Sequence, residues 1–472
     1  MINSVFNVIS WLSETIWTYF ALWLLVGSAV GMFFYLRLYR LFRLSVVRQV
    51  FKSEEGPAEQ KRAIRPFHAF CISLASCVGT GNLAGVASAI YLGGPGAIFW
   101  MCVMAVFASA LSFAECSLAQ LYKRKGPDSY FGGPAYYIAQ GMKLAPLGAL
   151  FAVATVFNQG MMSHIVQTKV MCDAVGAALN LDGRMTAYVI TAAFVMIAFG
   201  GVKRVARFSS IIVPVMSVGY VLIAFYVLIV NFERVPGVLA MVWRSAFELR
   251  EFAGGAVGAA ILHGVRRGIF TNEAGEGSSP CAAATASVSH PAKQGMVHVL
   301  GVFTDTLLIC SCTAVLIFLS GVDWRAEDGI ILAGHAMEVH LGPFGRWFLT
   351  AAILMFAFST VVGNYFYGES NVRHLTRSGV WLWCYRAAAT VMVLVGGFVT
   401  LGQAWSAVDL AVALMVILNL YALWMMRGKV RVILEDFLAA CRKGCRVRFS
   451  PSVFPDEKFE AWEDQDETVS TR

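Results

Sequence analysis

The chain has 472 residues, 58% hydrophobic and only 14% charged, with a mean hydropathy of +0.65 and its apolar residues gathered in long blocks. This composition excludes an ordinary soluble globular protein. The net charge of +8 does not point to nucleic acid, because the basic residues sit in short segments between apolar blocks and no soluble basic domain carries them.

An apolar run of about 20 residues spans the hydrocarbon layer as a helix, since only a helix satisfies its own backbone there. Such runs are expected near 17–39, 66–91, 96–122, 146–177, 186–201, 208–231, 253–284, 293–321, 345–371, 380–400 and 404–426. These eleven spans make an all-α integral membrane protein. No basic start or small-residue cleavage site precedes Trp17–Tyr39, so the first run is expected as a retained helix. Residues 1–65 then form a leading helix and a basic loop, residues 66–426 a ten-helix core, and residues 427–472 a tail.

Loop charges test this count. The loop after the first span carries Arg37, Arg40, Arg43, Arg48, Lys52, Lys61, Arg62 and Arg65, which assigns it to the cytoplasm and the N-terminus to the outside. With strict alternation, the later inside loops hold Lys123-Arg124-Lys125, Lys203-Arg204 with Arg207, His290 with Lys293, and Arg373 with Arg377. All are basic, the outside loops are neutral or mixed, and the C-terminal tail falls inside. Eleven cysteines, scattered mostly within apolar blocks and without CxxC pairs, read as small buried hydrophobes.

Two spans are interrupted. The second contains Val78-Gly79-Thr80-Gly81-Asn82. Taken alone, these glycines fit either close helix packing or an unwound stretch whose freed backbone groups await a ligand. The seventh contains Gly264-Val265-Arg266-Arg267-Gly268 and continues to Thr271-Asn272-Glu273-Ala274-Gly275-Glu276-Gly277-Ser278. Such polarity at membrane depth is costly unless it lines a cavity, and Ala253–Leu262 alone is too short to span. The two interruptions lie five spans apart, the separation that an inverted five-helix repeat produces.

The stretch from Phe70 to Glu115, with Gly79-Thr80-Gly81-Asn82, Gly93-Gly94-Pro95-Gly96-Ala97 and Phe99-Trp100-Met101, resembles the alanine/glycine:cation symporter family. So do Gly132-Gly133-Pro134, Arg267 to Gly275, Gln294-Gly295, Asp305-Thr306 and Phe358-Ser359-Thr360, which together cover about residues 66–370. The resemblance implies a leucine-transporter-type fold, with one leading helix and two inverted five-helix repeats whose first and sixth core helices are broken. It also implies sodium-coupled uptake of alanine or glycine, with D-alanine a further candidate. Sodium would be the coupling ion, held by the carbonyls of Ala75 and Val78 and the hydroxyls of Ser359 and Thr360; such oxygen ligation suits a hard cation. The amides of Thr80, Gly81 and Asn82 would receive the substrate carboxylate, carbonyls near Gly264 and Gly268 the ammonium, and Gln167 would face the substrate.

Three residues depart from the family pattern: Lys169, Glu276 and Asn364. Lys169 either snorkels or alters the pocket, and Asn364 removes bulk and adds a hydrogen-bonding group that suits a larger or more polar amino acid. The alternative is an amino acid transporter of the same fold with altered specificity, or with proton coupling through a carboxylate or lysine in place of sodium. Glu273 with Arg266 and Arg267 suggests an ion pair in the cytoplasmic half of the seventh span. No repeated filter sequence marks a channel, and no nucleophile, HExxH or similar constellation marks an enzyme.

Overall fold

The computed structural model describes residues 10–42, 64–126, 129–247, 256–326, 329–399, 401–443 and 447–462. Most of the basic residues of the first loop, Arg43 to Arg62, lie outside the described residues. The chain is almost wholly helical. Among the described residues seven helices are long and apolar enough to cross a membrane. They are α1 (Ser10–Leu36), α4 (Gly96–Leu121), α6 (Ala145–Leu179), α8 (Val202–Val230), α12 (Pro291–Ser320), α14 (Pro343–Leu375) and a seventh that starts at Val408 within α16 (Leu401–Lys443). An eighth span is the bent pair α2 (Pro66–Cys77) and α3 (Ala84–Gly93), whose halves diverge by 59°.

Shorter apolar helices complete the bundle: α7 (Gly183–Ala198), α13 (Gly329–Leu341) and α15 (Gly379–Val395). Helices α5 (Pro134–Gly141), α9 (Val235–Phe247), α10 (Ala256–Asn272) and α11 (Ser279–Ala283) connect or interrupt the longer ones. A two-residue hairpin, β1 (Arg124–Lys125) against β2 (Tyr130–Phe131), is antiparallel.

Small residues decide how the bundle closes. α4 lies against both α10 and α12, and α6 runs along α14. A Cβ at Gly268 would stand 3.0 Å from the Met101 backbone, and one at Gly264 would overlap the Ala97 carbonyl. These glycines let α10 approach α4 closely. The outer faces are apolar: on α8, Ile211, Val215, Val218, Leu222 and Phe225 are exposed, which suits contact with lipid tails.

The loops assigned to one side do meet. Ser287 N donates to Ile64 O at 3.1 Å, Lys123 Nζ to Ala286 O at 3.0 Å, and the Arg373 guanidinium sits 4.8 Å over the Phe131 ring. The tail joins the same end, where Phe449 N donates to Ser289 O and Trp462 Nε1 to Gln120 O, 3.0 Å apart. At the opposite end Gly96 N donates to Ser245 Oγ on α9, and α13 packs on α3.

One boundary moves. The last helix does not stop at Met426, the expected end of the core, but runs on to Lys443. Val430, Ile433, Leu434 and Phe437 keep an apolar stripe at helical spacing and are fully buried. The tail beyond it is docked as far as Trp462.

Candidate substrate and ion site

α2 ends at Cys77, Val78 (φ −77°, ψ 81°) forms a tight turn, and Gly79 (φ −121°, ψ −157°) is extended before a short turn at Thr80–Asn82. The backbone freed there finds specific partners, as membrane depth requires. Gly79 N donates to Asn82 Oδ1 at 3.2 Å, Thr313 Oγ1 donates to Asn82 O at 2.8 Å, and Asn82 Nδ2 donates to Asp305 Oδ1 at 2.6 Å.

The second break is narrower than expected and occupies only the C-terminal part of the 264–278 stretch. α10 is helical from Ala256 through Asn272, so Gly264, Arg266, Arg267 and Gly268 lie inside a regular helix, and the chain unwinds only between Glu273 and Ser278. Gly275 (φ 87°) and Gly277 (φ 86°) adopt left-handed conformations that favour glycine, and Glu273 (φ 52°) turns the chain out of the helix. Glu115 and Asn419 support this loop: Gly275 N donates to Glu115 Oε1 at 3.3 Å, and Asn419 Nδ2 donates to Gly275 O at 3.0 Å.

The arginines are corrected as well. Glu273 accepts from Ser278 Oγ at 2.5 Å and lies 2.8 Å from Ser76 Oγ, so hydroxyls rather than Arg266 or Arg267 hold its carboxylate. Both arginines instead line a cavity of about 970 Å³ with Thr80, Asp173, His263 and Asp409. That cavity opens beside α13, at the end opposite the basic loops. The reason is geometric: a helix facing an aqueous cavity carries charge without unwinding.

Three of the four expected ion ligands converge. Ser359 Oγ lies 3.2 Å and Thr360 Oγ1 3.1 Å from Ala75 O, and Thr360 Oγ1 is 3.2 Å from Ser76 O. Val78, the fourth, is buried one residue past the end of α2. Both hydroxyls also reach Phe356 O within their own helix, at 2.9 and 3.0 Å. A Cβ at Gly79 would stand 2.7 Å from Thr360 Oγ1, so only glycine leaves this seam closed. Thr80 Oγ1 donates to Gln167 Oε1 at 3.3 Å. Asn364 is buried on α14 between Ser76 and Ser163, while Gly264 and Gly268 serve the packing of α10 on α4.

Lys169 resolves simply, since it pairs with Asp173 one turn along its own helix. Residues that carry the site and were passed over in sequence are Ser76, Glu115, Gln159, Ser163 and Asn419. For Gln159 and Ser163 a signal existed, because with Gln167 they repeat every four residues along one apolar span.

Comparison with known proteins decides the family. Residues 2–451 match the sodium:alanine symporter family. The chain belongs to that family. Among this family's curated members it is 40% identical to the amino-acid carrier protein AlsT of Bacillus subtilis, across 98% of both chains. It is 38% identical to the probable sodium/glutamine symporter GlnT of the same organism, again across 98% of both. In fold it is similar to the solved structure of MhsT in complex with L-phenylalanine, with a TM-score of 0.59, 13% identity, and coverage of 82% of this chain and 97% of that one. This member of the symporter family is therefore a multi-pass membrane transporter of leucine-transporter-type fold, and a carrier of amino acids rather than an enzyme.

Proposed function

We propose that the chain is a sodium-coupled symporter that brings a small neutral amino acid, such as alanine, glycine or D-alanine, into the cytoplasm across the cell membrane. The observation that carries this reading is the seam at the first break, where Ser359 and Thr360 turn their hydroxyls on the Ala75 carbonyl. Sodium, as a transported substrate, would bind there through those hydroxyls and the carbonyls of Ala75 and Val78. Four neutral oxygens suit a weakly and reversibly held hard cation.

The amino acid would lie beside the ion. Its carboxylate would meet the backbone amides of Thr80, Gly81 and Asn82, with Gln167 at the edge, and its ammonium the carbonyls of the second break at residues 273–278. That loop takes the part first expected of Gly264 and Gly268. The cavity that opens beside α13 is the entry route in this reading, with that end outside and the C-terminus in the cytoplasm, as the basic loops favour. Counting α7, α15 and the α10–α11 pair as spans brings the total to the expected eleven, and residues 1–65 precede the core as a leading helix and loop.

One observation favours a second reading, a proton-coupled carrier of the same fold. Glu115, Glu273, Glu276 and Asp305 are buried, and hydroxyl, carboxamide or backbone N–H groups donate to their carboxyl oxygens. Reconstitution in liposomes separates the two. Labelled alanine or glycine should accumulate under an inward sodium gradient at equal pH; accumulation driven by a pH gradient in sodium-free buffer would replace sodium with the proton.

A further inference from the structure

The span α6 turns three polar side chains into the bundle at successive turns, and each meets a partner on a different element. Thr80 Oγ1 donates to Gln167 Oε1 at 3.3 Å. One turn away Asn364 Nδ2 donates to Ser163 Oγ at 2.7 Å. A further turn away Gln159 Nε2 donates to Glu276 Oε1 at 2.5 Å. Ser76 Oγ, 2.5 Å from Asn364 Oδ1 and 2.8 Å from Glu273 Oε1, ties the rungs to both helix breaks.

Much of this ladder is buried, with Gln159 at 5%, Asn364 at 2% and Glu276 at 7% exposure, while Ser163 and Gln167 are half-buried. Its members are hydroxyls, carboxamides and carboxylates. They do not serve the broken backbone, which Asn82, Glu115 and Asn419 satisfy. Polar groups kept at membrane depth with no backbone to cap are expensive, and an apolar wall would pack there at less cost. Gln159 also lies in a π-helical turn, Asn158–Met162, a distortion found mostly at functional sites.

We propose that the rungs formed by Gln159, Ser163, Glu276 and Asn364 are the side-chain subsite of the transported amino acid, and that they select a side chain ending in a carboxamide. This rests on the reading that the amino acid binds at the two helix breaks. Glu276 already holds a carboxamide, that of Gln159, and a substrate carboxamide offers the same N–H donors. Asn364 supplies a donor for its oxygen. An aliphatic chain of the same length, in pushing Gln159 off Glu276 and Ser163 off Asn364, would break those bonds and offer none in return, a heavily penalised outcome. A cationic side chain would gain a carboxylate but face the amide N–H groups of Asn364 and Gln159. Alanine and glycine would leave the ladder bonded to itself and gain nothing from it.

The test uses the full chain in liposomes with an inward sodium gradient, measuring uptake of labelled L-glutamine, L-asparagine, L-methionine, L-lysine and L-alanine separately. We expect kcat/KM for glutamine or asparagine to exceed that for methionine by about 100-fold or more, as sites built to bond a polar group discriminate. Asn364→Leu and Glu276→Met should each bring that ratio toward one. Because the ratio is internal to each preparation, poor folding of a variant does not mimic the effect, and Ser163→Ala reads the same ratio if either variant fails to insert. Uptake of none of the five overturns the transport reading beneath. Methionine or alanine favoured over glutamine and asparagine overturns the subsite alone, and lysine favoured over all replaces the carboxamide with a cationic side chain.

Discussion

Thr360 Oγ1 stands 3.1 Å from the carbonyl oxygen of Ala75, joining α14 to the first broken helix at the point where that helix ends. If this seam holds the ion, Thr360→Ala and Ser359→Ala should each raise the sodium concentration for half-maximal uptake by about 10-fold or more, a loss that even outer partners of a metal site produce. Sodium activation curves at fixed amino acid check this. Unchanged curves in both variants would move the ion elsewhere.

Gly264 and Gly268 give a contrasting case. Because they seat α10 against the backbone of α4, Gly264→Ala and Gly268→Ala should cost about 1–3 kcal/mol through overpacking. Thermal melting of the detergent-purified protein should fall while the order of preferred amino acids stays the same. A changed order with unchanged melting would restore these residues to the substrate site.

Lys169 is partly exposed and pairs with Asp173, whose side chain is half exposed, so the pair is worth about 0–1 kcal/mol. Lys169→Asn should therefore leave both sodium dependence and substrate ranking as they were. A shift in ranking, read from competition against a labelled substrate, would place this lysine in the pocket.

The docked tail predicts a stability effect far from the site. Trp462 is fully buried and bonded to Gln120, and Glu457 pairs with Lys429 at 2.5 Å. Trp462→Ala should destabilise by about 3–5 kcal/mol, the usual cost of emptying an aromatic site. Melting of the purified variant measures it, and an unaltered transition would show that the tail braces nothing.

The first break was legible only together with a second interruption five spans later and the family resemblance, because Gly79 and Gly81 alone fit close helix packing equally well. The second was drawn too long because charge at Arg266 and Arg267 looks the same in sequence whether a helix faces a cavity or unwinds. The better cue was Gly275 with Gly277, whose positive φ values need glycine. Glu115 and Asn419, which support that loop, come from distant spans, and no local pattern connects them. Gln159 and Ser163 were hidden differently, since a polar side chain in a membrane span is read as interhelical glue until its partners are seen. The apolar stripe from Val430 to Phe437 was periodic and legible, yet too amphipathic to read as a span.

Coupling itself is tested most directly by sodium entry. Liposomes containing the full chain should take up radiolabelled sodium slowly in its own absence of cargo and faster when a transported amino acid is added outside, because binding energies at linked sites are reciprocal. Thr360→Ala should lose most of that stimulation. Amino acid uptake that proceeds at full rate while adding no sodium influx to the unaltered protein would contradict the account.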